Sequence, residues 1–227
     1  MIELKKYYQE GLLFEIFHAK TNLLIWELIA SEYDFLSKQK KHIKDLYSFI
    51  QQSAGTNFIL HIAKLYDKKK KHPTMCISDF IELIKNQANT LPKISQTGMT
   101  TSLLVAKKAS QRLITSVTSE NANDFPNEFY IYYKSRYEEE LIQKAIQKLN
   151  TIRSKSIAHN EIMLTEPSID FSELNMLLNF AMDIAFTYAT AYENEYCGTG
   201  GDYPIELSVL NAASFISENI ELLRKNH

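Results

Sequence analysis

Glycine and proline are scarce in this sequence of 227 residues, which contains 6 glycines and 5 prolines. Both counts are well below average usage. Folds built from many short strands need these residues at their turns, so their scarcity favours long helices. No stretch alternates convincingly between apolar and polar residues with the period of two that a half-buried strand shows.

Cysteine is also scarce, since the chain carries only Cys76 and Cys197. A secreted domain of this size usually has more, and a reducing cytoplasm is therefore the expected location. The N-terminal stretch MIELKKYYQEG is followed by no apolar run of about 7–15 residues, so no signal peptide is expected. No segment approaches the roughly 18 uncharged apolar residues of a membrane span, and no membrane partner is predicted.

An excess of charge of one sign is missing as well. The formal net charge is −2, with 45% hydrophobic and 23% charged residues. This composition is typical of a globular protein. It excludes a strongly cationic protein but leaves room for a local basic patch that binds nucleic acid.

Apolar residues recur at three- and four-residue steps through most of the chain, the spacing of amphipathic helices. We predict an all-α helical bundle of about six helices, built as one domain over residues 1–227 with an insertion at about 91–127. Ser78 is the predicted N-cap of a helix, Pro126 lies in the first turn of another, and Asp170 with Glu173 forms a capping box. The predicted helices are Leu4–Ala30, Asp45–Tyr66, Asp79–Ala88, Thr101–Val117, Pro126–Ala158, the helix after Asp170, and Ile205–Leu223.

Three groups of residues permit both a structural and a functional interpretation. The glycines of GTGG, at 198–201, lack the strand and the Lys-Ser/Thr of a phosphate loop and indicate a turn. A run of four lysines suits a solvated helix end, but it would also clamp the phosphates of a nucleic acid. A cluster of tyrosines would pack in the core or at an interface, or stack on bases. The lysines are Lys68, Lys69, Lys70 and Lys71, and the tyrosines are Tyr130, Tyr132, Tyr133 and Tyr137.

No metal or cofactor site is predicted. None of the six histidines has another histidine three or four residues away on the same helix, and the two cysteines are far apart in the sequence. Zinc and di-iron sites depend on such spacings.

Arg153 and His159 are the strongest candidates for catalysis. Arg153 follows Leu149 by four residues, which places it on the edge of an apolar stripe, where a charged group needs a partner or a ligand. Six residues on a straight helix give an offset of about 9 Å and a rotation of about 120°. The two side chains therefore converge on one phosphate only if Arg153 reaches back, or they meet the same pair from a second subunit across a two-fold axis.

The chemistry of this pair suits cleavage of RNA without a metal. Histidine titrates near neutrality and serves as general acid or base. Arginine grips a phosphate oxygen and stabilises the charge that develops on it. Lys155 and Asn160 are supporting candidates for binding the RNA backbone.

The stretch LNTIRSKSIAHNE resembles the signature of the HEPN superfamily, an arginine followed after four to six residues by a histidine. Three further segments resemble its abortive-infection, AbiU-type branch, and all stand in the same order. They are NFILHIAKLYDKKKK, with its Leu-x-Asp ending, then CISDFIELI, and DFSELNMLLNFAMDIAFTYATAY. Members of the superfamily often have Asn, Asp or His directly after the arginine, where this chain has Ser154, a candidate orienting group.

The resemblance implies a helical bundle, often a homodimer, with an endoribonuclease site made of Arg153 and His159 from both subunits. It also implies cleavage that leaves a 2′,3′-cyclic phosphate, a role in phage defence or as a toxin, and an antitoxin or defence partner. A second interpretation stays open, because some HEPN domains are non-catalytic modules that bind RNA or protein. In that case the Arg–His pair would serve as a polar contact at a dimer interface.

Overall fold

Helices make up nearly all of the regular structure in the computed structural model, which describes residues 2–67, 75–91, 113, 125–154, 169–193 and 204–225. No strand occurs within these ranges, and the predicted all-α bundle is confirmed. The helices are α1 (Ile2–Lys6), α2 (Phe14–Ser31), α3 (Tyr33–Leu36), α4 (Lys41–Leu65), α5 (Ile77–Asn86), α6 (Phe125–Tyr137), α7 (Glu140–Ile152), α8 (Phe171–Tyr188) and α9 (Pro204–Lys225). A π-helical segment, Tyr7–Leu13, joins α1 to α2, and a second, Ala189–Glu193, extends α8.

The helix α8 lies at the centre of the bundle. Twelve of its 18 residues are buried, and they cover most of its circumference. A helix that is apolar on nearly every side is surrounded by other elements. The main core therefore forms around α8, with buried side chains from α1, α2, α4, α5, α6 and α7.

A smaller core lies at the far end of α2 and α4. It is formed by Ile29, Leu36, Tyr47 and Ile220, and the last of these comes from α9. The long contact between α2 and α4 connects the two cores, since both helices contribute to each of them.

The first predicted helix, Leu4–Ala30, is present as a continuous helical stretch with a π-helical interruption. Gly11 lies in that interruption, and a Cβ atom placed on it would be 2.6 Å from the Cβ of Met75. Real Cβ atoms do not approach each other so closely, so only glycine fits at this position. The close approach lets the chain before α5 pack directly against the π-helical segment.

The single helix predicted over 126–158 is wrong, because α6 ends at Tyr137 and α7 begins at Glu140. Glu139 has an extended backbone, with φ −56° and ψ 139°. Three consecutive glutamates stand at the break, and negative charge is more favourable at the start of a helix than at the end of one. Gln143 donates a hydrogen bond from Nε2 to the carbonyl of Tyr137 at 2.6 Å, which satisfies a carbonyl at the end of α6.

Two predictions of helix caps have different outcomes. The capping box of Asp170 and Glu173 is confirmed, and the Asp170 amide donates to the Glu173 carboxylate at 2.9 Å. The predicted N-cap at Ser78 is wrong. The N-cap of α5 is Cys76, whose φ of −99° and ψ of 166° are extended, and Ser78 lies inside the first turn.

Several predictions fall outside the described residues. These are most of the predicted helix Thr101–Val117, the GTGG turn at 198–201, and the part of the predicted long helix from 155 to 158. Leu113 is the one described residue of the first of these, and it is buried and helical.

Candidate active site

The helix α7 brings Arg153 to the edge of the main core. Its apolar stripe, Ile142, Ala145, Ile146 and Leu149, is buried as the spacing predicted. Arg153 continues this stripe in a terminal turn that widens to π-helical geometry at residues 153–154. Its side chain is 23% exposed. The predicted position of Arg153, between the core and solvent, is therefore confirmed.

Asp67 is the partner that this position requires. The Nη1 of Arg153 lies 2.9 Å from Oδ2 of Asp67, and Nη2 donates to Oδ1 at 3.2 Å. Such a bidentate contact fixes the plane of the guanidinium as well as its position. Asp67 follows the end of α4, and the side chains of both residues are largely shielded from solvent, which reduces screening of their charges.

Tyr66 fixes the backbone next to Asp67. The Tyr66 side chain is fully buried, and its hydroxyl donates to the carbonyl of Leu177 in α8 at 2.5 Å. Its ring stacks on Tyr137 with the ring centroids 6.3 Å apart. Burial raises the pKa of Tyr66 well above 10.0, so the hydroxyl keeps its proton and remains a donor. Asp67 is consequently held by a residue that is itself part of the core.

The contact with Asp67 uses only part of the guanidinium. An arginine carries five N–H groups, and the pair with Asp67 takes one from each Nη. The Nε–H and one further N–H on each Nη stand outside this pair. The edge formed by Nε and Nη2 has the geometry that matches two oxygens of a phosphate.

The other predicted site residues are only partly described. Ser154 is exposed, and its hydroxyl donates to the carbonyl of Thr151 at 3.1 Å, not to Arg153. Ser154 is therefore engaged by its own helix in this structure. His159, Lys155 and Asn160 lie outside the described residues, as do Lys68, Lys69, Lys70 and Lys71. The geometry of Arg153 relative to His159 stays a prediction.

The tyrosine cluster contributes to packing. Tyr133 is fully buried, and its hydroxyl is 2.6 Å from Oγ1 of Thr187 in α8. Tyr130, Tyr132 and Tyr137 are partly buried and pack against the main core. These contacts favour the structural interpretation of the cluster over base stacking.

A cluster of charged and titratable side chains between α2 and α4 was not predicted. The Nδ1 of His61 lies 2.6 Å from Oε2 of Glu15, and Nζ of Lys64 lies 3.3 Å from Oε1. His18 stacks on His61 with the ring centroids 5.0 Å apart. Burial lowers the pKa of His18 below 6.5, and electrostatic interaction with His61 lowers it further.

An open groove of about 570 Å³ runs along α7 and the start of α8. It is lined by Lys144, Lys148 and Glu173 among others, and Lys148 forms an ion pair with Glu173 at 2.7 Å. On an α-helix, Lys144 and Arg153 are separated by a rotation of roughly 180°. The groove therefore lies on the opposite face of α7 from Arg153 and is separate from the candidate site.

Comparison with protein-family models, curated proteins and solved structures finds no match for this chain. The resemblance to the HEPN superfamily therefore rests on four sequence segments of this chain.

Within the described ranges, no group of three or more His, Cys, Asp or Glu side chains is arranged to hold a metal ion. Among the helices that the structure describes, none combines the length and apolar character that crossing a bilayer requires.

Proposed function

We propose that this chain is a metal-independent endoribonuclease of the HEPN type that acts in phage defence or as an RNA-cleaving toxin. The observation that supports this proposal is the placement of Arg153. Its guanidinium is held in a fixed plane by Asp67, is partly open to solvent, and keeps an Nε edge outside that pair. A preorganised cation of this kind is what stabilisation of a phosphorane requires.

In the proposed reaction, His159 acts as the general base and then as the general acid. It removes the proton of a 2′-hydroxyl, whose oxygen attacks the adjacent phosphorus. The bond from phosphorus to the 5′-oxygen breaks, and that oxygen takes up a proton from the histidine. The products are a 2′,3′-cyclic phosphate and a 5′-hydroxyl, and Arg153 stabilises the negative charge between the two steps.

The homodimer belongs to the same proposal. A second copy of the chain would bring a second Arg153 and His159 to the site, so that the two residues need not meet along one helix. Lys155, Asn160 and the four lysines at 68–71 would hold the RNA backbone.

A second candidate function is a non-catalytic module that binds RNA or protein. The ion pair of Arg153 with Asp67 favours it, because a charged side chain that already has a protein partner does not require a ligand. In this case Arg153 would stabilise the junction of α4 and α7.

Cleavage of RNA in excess chelator separates the two candidates. We expect the wild-type protein to cut total RNA, and Arg153→Ala and His159→Ala to lose that activity. The control is His42→Ala, since His42 is an exposed histidine at the start of α4. Intact RNA at micromolar wild-type protein, or equal cutting by all variants, would refute the nuclease.

The nature of the ends gives an independent check. A 2′,3′-cyclic phosphate resists ligation until acid and phosphatase convert it to a free hydroxyl. Ends that ligate without this treatment would exclude the proposed mechanism. If the protein is a toxin, its expression should slow host growth and His159→Ala should relieve the effect.

A further inference from the structure

The orientation of the Arg153–Asp67 pair determines which part of the guanidinium a ligand can reach. Asp67 contacts Nη1 and Nη2, which form the far end of the arginine. The Nε edge is at the side of the same plane, and it is left outside the contact. A phosphate can therefore bind through Nε and Nη2 without displacing Asp67.

The surroundings of Asp67 make it a firm support. Tyr66, the preceding residue, is tied to α8 through its buried hydroxyl, and the amide of Asp67 donates to the carbonyl of Lys64 at 3.4 Å. Arginine loses considerable rotamer freedom when it is fixed. A partner that fixes Arg153 before the substrate arrives removes this cost from the binding step.

We propose that Asp67 is a positioning residue, which holds Arg153 by its Nη end and directs its Nε edge toward a phosphate group. The inference rests on the proposed function, because it assigns Asp67 a role in the same site. In the opposite arrangement, Asp67 competes with the phosphate: it neutralises Arg153 and must leave before a phosphate binds. The two arrangements predict opposite effects when Asp67 is replaced.

The carboxylate of Asp67 would repel a phosphate bound next to it, and the lysines that follow Asp67 in the sequence offset this repulsion. Asp67 and Arg153 together are neutral, and a phosphate bound beside Asp67 would meet a carboxylate. The four residues after Asp67 are all lysine, so this part of the chain carries an excess of positive charge. A run of positive charge next to Asp67 in the sequence favours the binding of anions such as phosphate.

Arginine side-chain NMR of the full-length protein tests the inference with inorganic phosphate as the probe. The chain has four arginines, so four Nε–H signals are expected, and Arg153→Lys identifies the signal of Arg153. In the wild type, phosphate should shift this signal. In Asp67→Asn the apparent phosphate affinity should fall roughly tenfold, the lower end of what losing an orienting partner costs at metal sites.

Two variants control for charge and folding. Asp45→Asn removes the same charge from an exposed position on α4 and should leave phosphate binding unchanged. Asp67→Glu keeps the carboxylate and should restore part of the affinity. If Asp67→Asn binds phosphate as tightly as the wild type or more tightly, the inference is overturned, and Asp67 competes with phosphate for Arg153. The inference would also be overturned if phosphate does not shift the Arg153 signal of the wild type. The same holds if Asp45→Asn lowers the phosphate affinity as much as Asp67→Asn does.

RNA cleavage separates this inference from the proposed function. If RNA stays intact but phosphate shifts Arg153 in a manner that depends on Asp67, the nuclease is refuted and the positioning role stands. If wild type and Asp67→Asn cleave RNA with the same kcat, the positioning role is refuted and the nuclease stands. Support for both requires kcat to fall in Asp67→Asn, by roughly 10²-fold if the guanidinium moves by about 1 Å, with partial recovery in Asp67→Glu.

Discussion

Replacing Tyr66 by phenylalanine removes a single hydroxyl from the junction between α4 and α8. The ring stays, so its stacking on Tyr137 and its burial are preserved. The change deletes the hydrogen bond to the carbonyl of Leu177, which at 2.5 Å joins the end of α4 to the central helix. It therefore tests the anchor that holds the residue next to Asp67.

The expected loss follows from what remains after the substitution. The Leu177 carbonyl lies inside α8, where its acceptor also receives the N–H from the following helical turn. It is not left unpaired, so the larger penalty for an orphaned buried group does not apply. We expect a net loss of about 0.5–1.5 kcal/mol in the free energy of unfolding. For a chain of this size, about 1 kcal/mol corresponds to a decrease of roughly 2–4 °C in Tm.

Urea unfolding followed by circular dichroism, together with thermal melting, measures this loss. The matched control is Tyr47→Phe. Tyr47 is a buried tyrosine of the smaller core, and its hydroxyl makes no hydrogen bond within the described ranges. Its substitution should change stability by less than about 0.5 kcal/mol.

Two results would contradict this reasoning. If Tyr66→Phe is as stable as the wild type, the hydroxyl does not anchor α4. If Tyr47→Phe and Tyr66→Phe lose the same free energy, the effect belongs to buried tyrosines in general and not to this hydrogen bond.

The histidine pair and Gly11 give two further predictions. The pKa of His18 is lowered in the folded state, so the unfolded chain binds more protons below its ordinary pKa of 6.5, and stability falls as pH decreases through that value. Urea unfolding between about pH 7.5 and 5 measures this slope, which should be smaller in His18→Phe; an unchanged slope would exclude His18. Gly11→Ala places a Cβ 2.6 Å from that of Met75 and should cost about 1–3 kcal/mol, whereas Gly55→Ala, whose nearest neighbour is 3.3 Å away, should cost less; equal losses would refute the clash.

The helical elements were predictable because each depends on local periodicity. The stripe of α7 and the capping box of α8 follow from residues within a few positions of each other. The break before Glu140 was missed because apolar spacing continues on both sides of it. A run of three glutamates is compatible both with a helix surface and with the start of a new helix, and the packing of α6 and α7 decides between them.

In the candidate site, too, the local feature was predictable from the sequence and the long-range contact was not. The position of Arg153 at the edge of the core follows from its distance to Leu149 along one helix. Its partner Asp67 lies 86 positions away in the sequence, and no local pattern connects the two. A signal was nevertheless present, because Asp67 is a lone acid between an apolar helix and four lysines.

The cluster around His61 was missed for a related reason. Spacing along one helix does not reveal it, because His18 lies on α2 and His61 on α4. Only the pairing of these two helices brings the rings and Glu15 together. Pairing of helices is a tertiary property, and the amphipathic pattern of each helix does not specify its neighbour.

The π-helical segment Tyr7–Leu13 sets the rotational phase of everything before it. Deleting one residue there would allow an ordinary α-helix, but it would rotate the preceding turn by about 100° around the axis. Leu4, which is now fully buried, would then leave the core. The extra residue thus determines which side chains of the first turns face the core. A chain of the same fold that lacks it would need a different set of apolar positions at its start.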